Sequence, residues 1–100
     1  MTLIYIICRD EKEAAKISRH LLNKRLIACS NMFPIRSMYF SEGKIQDNKE
    51  FAIMAKTKGK NFEKIKQEVR KIHSYKVPCI LKIDAEANES YEKWVNEEVK

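Results

Sequence analysis

The sequence predicts an α+β domain: a ferredoxin-like βαββαβ sandwich with a long hairpin between its second and third strands and an extra C-terminal helix. Three observations predict it. Short β-branched apolar runs alternate with stretches whose apolar residues recur at spacings of three and four. Only two Gly and two Pro occur in 100 residues, so loops are few. The order of elements needs two right-handed crossovers, which place both helices on one face of a four-stranded sheet.

The first strand is the run Leu3 to Cys8, too short for a globular helix and apolar enough to be central. Asp10, with Glu13 three residues on, reads as an N-cap close to a capping box. Ala14, Ile17, Leu21 and Leu22 then form the apolar face of a helix over about 11–25. From Ile27 to Phe40 the chain is strand-like, and Pro34 marks an edge, a bulge or a bend. Ser41 to Lys44 is a turn in which Gly43 takes positive φ. Phe51, Ile53 and Ala55 alternate in the returning strand, closing a hairpin over about 27–57.

Asn61 reads as the N-cap of a second helix, with Phe62, Ile65, Val69 and Ile72 inward. Pro78 opens the last strand, Cys79 to Ile83. Asn88 reads as the cap of a final helix whose inner face is Tyr91, Trp94, Val95 and Val99.

One domain over residues 1–100 is expected from this length. The longest apolar run is six residues, against ~20 for a membrane helix, so no membrane is expected as partner. That run lacks a preceding basic segment and is followed by Asp10 and Glu11, unlike a secretory signal. Three cysteines without a CxxC argue against a disulfide framework and for a cytoplasmic setting. Net charge is +6, with lysines and arginines crowded over 56–71. Nucleic acid is not expected as a partner. The third strand has one aromatic and no basic-Gly-aromatic signature, and Tyr5 alone offers no stacking platform.

The strand from 27 to 40 would extend roughly 45 Å if straight. A compact domain of this size is only about 34 Å across. The hairpin therefore overhangs or bends at Pro34, and an overhang exposes edges that a neighbouring subunit would cover. A closed homo-oligomer is expected.

No Gly-rich phosphate loop, GxSxG, HExxH or paired DxD is present, so nothing compels catalysis. His20 reads as a surface residue. His73 follows the second helix and reads as a cap for free carbonyls, a metal ligand or a contact in a subunit cleft. Cys8 ends the first strand and Cys79 starts the last, strands expected to lie far apart in the sheet. Each reads as a small buried hydrophobe, although a Cys with a His suits Cu(I) or Zn²⁺.

The run Ala28-Cys29-Ser30-Asn31, then Pro34, Ser37-Met38-Tyr39-Phe40, Glu42-Gly43-Lys44, Glu50, Lys56-Thr57, His73, Tyr75, Pro78, Tyr91 and Trp94 closely resembles the CutA family of divalent-cation tolerance proteins. The resemblance covers nearly the whole chain. It implies a homotrimer whose hairpins wrap onto adjacent subunits, a link to copper and other divalent cations, and no enzymatic reaction. It implies Cys8 and His73 as metal ligands, with Cys79 a further candidate. The trimer architecture of the family is similar to that of PII signalling proteins, which implies a sensor or adaptor role as the alternative. A second set of matched residues, Cys29, Tyr39, Glu42, Lys56, His73, Tyr75 and Trp94, is expected to line an inter-subunit cleft. Lys56 there would pair with Glu50 or Glu42, as a structural ion pair or as part of a pocket for a small anion. The chain departs from the family pattern at Phe40, Ile72, Ser74 and Cys79. Ile72 and Cys79 remove a potential imidazole and a carboxylate, and Cys79 adds a thiol that favours thiophilic metals.

Overall fold

A computed structural model describes residues Met1 to Lys100. The elements are β1 (Thr2–Cys8), α1 (Glu11–Asn23), β2 (Cys29–Ser41), β3 (Lys44–Thr57), α2 (Phe62–Ile72), β4 (Ile80–Asp84) and α3 (Glu89–Glu98). The four strands form one antiparallel sheet in the order β2-β3-β1-β4. This is the ferredoxin-like arrangement the sequence predicts.

Strand alternation divides β1 cleanly. Ile4, Ile6 and Cys8 are fully buried, and the residues between them are half-buried on the opposite face. The buried set packs with Ala14, Ile17 and Leu21 of α1, Ile53 and Ala55 of β3, and Ile65 and Val69 of α2. Both crossover helices therefore cover one face, here called inner. Leu22, expected in that core, stays 40% exposed. Helix α3 lies across the outer face: Tyr91 reaches Cys29, which faces the same way as its register partner Lys56 and as Leu3. Within α3, Val95 is buried and Trp94 remains exposed.

One expectation about the sheet is corrected. β4 is the direct neighbour of β1, with Ile6 opposite Ile80 and the Ile7 N–H donating to the Cys79 carbonyl at 3.3 Å. β4, the last strand in the chain, can sit beside β1 because the crossover from β3 through α2 returns over the inner face and past β1. Cys8 and Cys79 still point to opposite faces, since Cys79 lies level with outward-facing Ile7.

Helix α1 begins as its sequence suggests. The Asp10 carboxylate accepts from the Glu13 N–H at 2.9 Å. Glu13 reaches back one residue further than a standard capping box and accepts from the Arg9 N–H at 2.8 Å. The helix ends two residues earlier than expected. Arg25 takes φ 59°, the Leu26 N–H reaches the Leu21 carbonyl, and the Arg25 N–H reaches Leu22. That is a Schellman closure built without glycine. Asn61 is not a side-chain cap. A short 3-10 turn over Gly59–Asn61 leads into α2, and the Asn61 amide is buried against the Leu26 carbonyl and the Thr57 hydroxyl. Asn88 holds the cap position of α3, but its side chain bonds Ser90 instead of a helix N–H.

Two buried carboxylates organise the inner face. Glu68 of α2 is 2% exposed and bonds His20 of α1 at 2.9 Å and Lys71 at 2.9 Å, with Lys24 and Lys64 close by. Lys71 and then His20 hold its carboxyl down at about 2. His20 is thus a helix–helix strut, where the sequence suggested an idle surface residue. Glu13 is the second such carboxylate.

The β2–β3 hairpin is regular from Cys29↔Lys56 to Ser41↔Lys44, with Pro34 on an edge strand and no bulge. Its turn puts both Glu42 (φ 54°) and Gly43 (φ 74°) in the left-handed region, as a two-residue type I′ turn requires. β1 stops at Cys8, opposite Phe51, so residues 35–50 form a two-stranded ribbon with no third strand. The molecule measures 46 × 26 × 21 Å. The hairpin overhangs, and Met38, Phe40 and Ile45 on the ribbon are 62–77% exposed.

Candidate functional site

Cys8, Glu13 and His73 bring a sulfur, a carboxylate oxygen and an imidazole nitrogen within 4.8 Å of one another. Each arrives from a different element. Cys8 is the last inward residue of β1, Glu13 sits in the first turn of α1, and His73 is the residue that ends α2. The sequence marked Cys8 and His73. It marked Glu13 only as a helix-start residue, because nothing in the local pattern says that a capping carboxylate also faces the end of α2.

Glu13 and His73 are engaged within the chain, and the Cys8 thiol is buried. His73 Nε2 donates to the Ile7 carbonyl at 2.8 Å, and Nδ1 accepts the Tyr75 N–H at 3.0 Å. A carbonyl only accepts and an N–H only donates, so the ring is the Nε2–H tautomer. The imidazole therefore ties α2 to the end of β1, and does not cap its own helix. Glu13 Oε1 accepts from Arg9 and Oε2 from the Ser74 N–H at 2.8 Å. Burial alone would raise the Glu13 carboxyl, but these N–H donors outweigh it and hold it below the usual range. Burial, reinforced by the Glu13 and Asp10 charges, pushes the Cys8 thiol up to about 12.

The donor set fits a metal ion in kind. Thiol, carboxylate and imidazole together suit Zn²⁺ or copper better than Mg²⁺ or Ca²⁺. Ligation has a cost, since the Cys8 proton must leave and His73 must give up a bond.

Cys79 stands apart from the triad. With Ile7, Tyr39, Glu50, Tyr75 and Val77 it lines an outer-face cavity of about 410 Å³. The Tyr75 hydroxyl donates to Glu50 Oε2 at 2.5 Å, and its ring lies 5.0 Å from that of His73. Burial, then the bond to Glu50, raises the Tyr75 hydroxyl, and burial followed by the Glu50 charge raises the Cys79 thiol.

The remaining expected cleft residues lie elsewhere in the protomer. The Cys29 thiol pairs with the Tyr91 hydroxyl at 3.3 Å, and Tyr91 stacks on Trp94. Lys56 bonds the Asn31 side chain, not a carboxylate. Six residues along β3, roughly 20 Å, separate it from Glu50. Glu42 is at the hairpin tip. Within one protomer the expected set therefore divides into three groups, of which one has Tyr39 and Tyr75 lining the cleft with Glu50 and Cys79 and His73 against the Tyr75 ring.

The family model for the CutA1 divalent ion tolerance protein matches residues 2–98. This chain belongs to the CutA1 family. It is 41% identical over 97 residues to the divalent-cation tolerance protein CutA of Archaeoglobus fulgidus, covering 96% of this chain and 95% of that one. It is 40% identical to the Pyrococcus horikoshii CutA over 100% of this chain and 99% of that one. The crystal structure of Pyrococcus horikoshii CutA1 superposes with a TM-score of 0.95 at 39% identity, over 100% of this chain and 99% of that one. The PII-like protein CutA of Nostoc shares the fold, with a TM-score of 0.91 at 23% identity over 100% and 98% of the two chains. The resemblance read from scattered CutA1 residues thus holds along the whole chain.

Proposed function

We propose that this CutA1 chain serves divalent-cation tolerance by binding a soft or borderline metal ion, copper or zinc, at Cys8, Glu13 and His73. The observation that carries the reading is the convergence of three unlike donor groups at the junction of β1, α1 and α2. Glu13 and His73 would hold the ion together with the Cys8 thiolate. A bound ion would supply a counter-charge to the buried Glu13 carboxylate and to that thiolate. Because Glu13 and His73 already have partners in the chain and the buried Cys8 thiol must lose its proton, binding is weak and reversible, which suits a protein that responds to excess metal more than one that stores it. The role is non-catalytic.

The working assembly in this proposal is a homotrimer in the cytoplasm. The overhanging ribbon and its exposed apolar side chains support an oligomer. Three free thiols support a reducing compartment.

Titration with Cu(I) and with Zn²⁺ against a chromophoric chelator tests the site. Cys8→Ser and His73→Ala should each weaken binding at least tenfold. Unchanged affinity in both variants would remove these residues from the site.

A second reading has its own observation. The cavity lined by Tyr39, Glu50 and Tyr75, about 410 Å³, has the size of a small-molecule site and supports a PII-like sensor or adaptor role. A thermal-shift panel of metabolites tests it: ligands of the cleft should raise the melting temperature, and a flat panel would count against it.

A further inference from the structure

The helical layer gathers a charge that the metal triad does not use. Lys12, Lys16 and Arg19 follow one another at four and three residues along α1, so they share one ridge with Asn23. Two depressions run end to end here and meet at Asn23. The first, about 500 Å³, is lined by Lys12, Lys16, Arg19 and His20, and the second, about 360 Å³, by Lys24 and Lys64. All five lysine and arginine side chains are exposed, and no Asp or Glu side chain lines either depression. Glu68 beneath them does not cancel this charge. It bonds Lys71 at 2.9 Å, with Lys24 and Lys64 at 3.6 and 3.7 Å, so one buried carboxylate faces three ammonium groups and holds them in place. Glu11 lines a different cavity, beside Pro34, and Glu63 is taken by Lys66 at 2.8 Å.

We infer that this ridge binds a linear polyphosphate chain. From Lys12 to Lys24 it extends about 18 Å at ~1.5 Å per residue, room for several consecutive phosphates. Apart from Arg19 its cations are lysines, which neutralise phosphate as point charges and read no planar edge. No Phe, Tyr or Trp lines either depression, so the bases of a single-stranded nucleic acid would gain no stacking. A thin chain with a charge on every unit and no bases is the polyanion that fits.

The ribbon that supports an oligomer leaves the sheet beyond Cys8 and Phe51. The Lys24 and Lys64 end of the ridge lies at the opposite end of the sheet. Helix α1 runs back from Cys8 to reach Lys24, and α2 follows Thr57, the register partner of Thr2. Two copies placed ridge against ridge would set like charges together, which opposes a self-contact there.

End-labelled linear polyphosphate is the probe, mixed with the full-length protein in EDTA at physiological salt and followed by fluorescence anisotropy. Binding should saturate and be about tenfold or more tighter than that of labelled tripolyphosphate, which spans too few cations. The combined variant Lys12→Gln, Lys16→Gln and Arg19→Gln should weaken binding about tenfold or more and flatten its salt dependence by about one unit of slope per cation removed. These three side chains lie exposed on α1, so the fold should survive the change. Lys76→Gln, Lys82→Gln and Lys93→Gln together remove the same charge from other elements and should keep nearly full affinity. Polyphosphate should protect Lys16, Lys24 and Lys64 from amine acetylation, read by peptide mass spectrometry, and leave Lys93 reactive. Cys8→Ser should leave binding unchanged, so failure of the metal reading and failure of this one are separable. Equal losses in the two triple variants, no saturable binding, or Lys16 and Lys64 already unreactive without polyphosphate would each overturn the inference. So would tighter binding of single-stranded RNA, duplex DNA or poly-glutamate at equal charge.

Discussion

The rings of His73 and Tyr75 lie 5.0 Å apart, and His73 Nδ1 accepts the Tyr75 N–H at 3.0 Å. This contact joins the two faces of the sheet at the end of β1. His73 belongs to the inner triad with Cys8 and Glu13, and Tyr75 belongs to the outer cleft with Glu50. A ligand that draws on the Nδ1 lone pair must release Tyr75, so the triad and the cleft are mechanically linked.

The Tyr75–Glu50 bond should contribute measurably to stability. Tyr75→Phe removes one donor and leaves a half-buried carboxylate oxygen without it. The expected loss is about 1–2 kcal/mol in urea unfolding. An unchanged midpoint would show that water replaces the hydroxyl without penalty.

Burial separates two apolar residues that the sequence alone treats alike. Ile6 is fully buried at the centre of the inner face, and Leu22 is 40% exposed. Ile6→Ala should cost about 2–5 kcal/mol, and Leu22→Ala less than about 1 kcal/mol. Chemical unfolding of both variants checks the ratio, and equal losses would contradict the placement of α1.

The Cys8 thiol gives stability a pH dependence on the alkaline side. Its folded value, about 12, lies above the ordinary 9.0, so the folded protein keeps a proton that the unfolded chain gives up. The contribution is fully present below pH 9 and is lost as pH rises towards 12. Unfolding free energies of the native chain and Cys8→Ala across that range should converge as pH rises. Parallel curves would mean that the thiol is not shielded.

Glu42 holds a left-handed conformation at the hairpin tip with no glycine to ease it. Glu42→Asn restores a residue that tolerates this region and creates the favoured type I′ pair with Gly43. A gain of about 0.5–1 kcal/mol is expected in thermal or chemical unfolding. A loss would mean that Glu42 makes a compensating contact across a subunit boundary.

The elements were legible because each has a clear period. β1 reads as one apolar run, and α2 repeats its apolar residues at three and four. The end of α1 was not legible, since its Schellman closure uses Arg25 where a glycine would have announced it. Asn61 looked like a cap and is a buried tether, a choice made by Leu26 and Thr57 from distant segments. In the site, Cys8 and His73 came from likeness to a family, and their third neighbour Glu13 did not. Its carboxylate serves the start of α1 and the Ser74 N–H at once, and only the return of the chain after α2 reveals the second task. Lys56 and Glu50 could be paired on charge alone, and within one protomer their positions along β3 keep them apart.

X-ray absorption at the zinc edge, on protein loaded with less than one equivalent of Zn²⁺, tests the central claim most directly. One sulfur per ion at about 2.3 Å is expected, with nitrogen and oxygen completing the shell. Cys8→Ser should abolish the sulfur signal, and Cys29→Ser and Cys79→Ser should leave it intact. A shell of nitrogen and oxygen alone, or a sulfur signal that disappears with Cys79 and not with Cys8, would contradict the assignment of the ion to Cys8, Glu13 and His73.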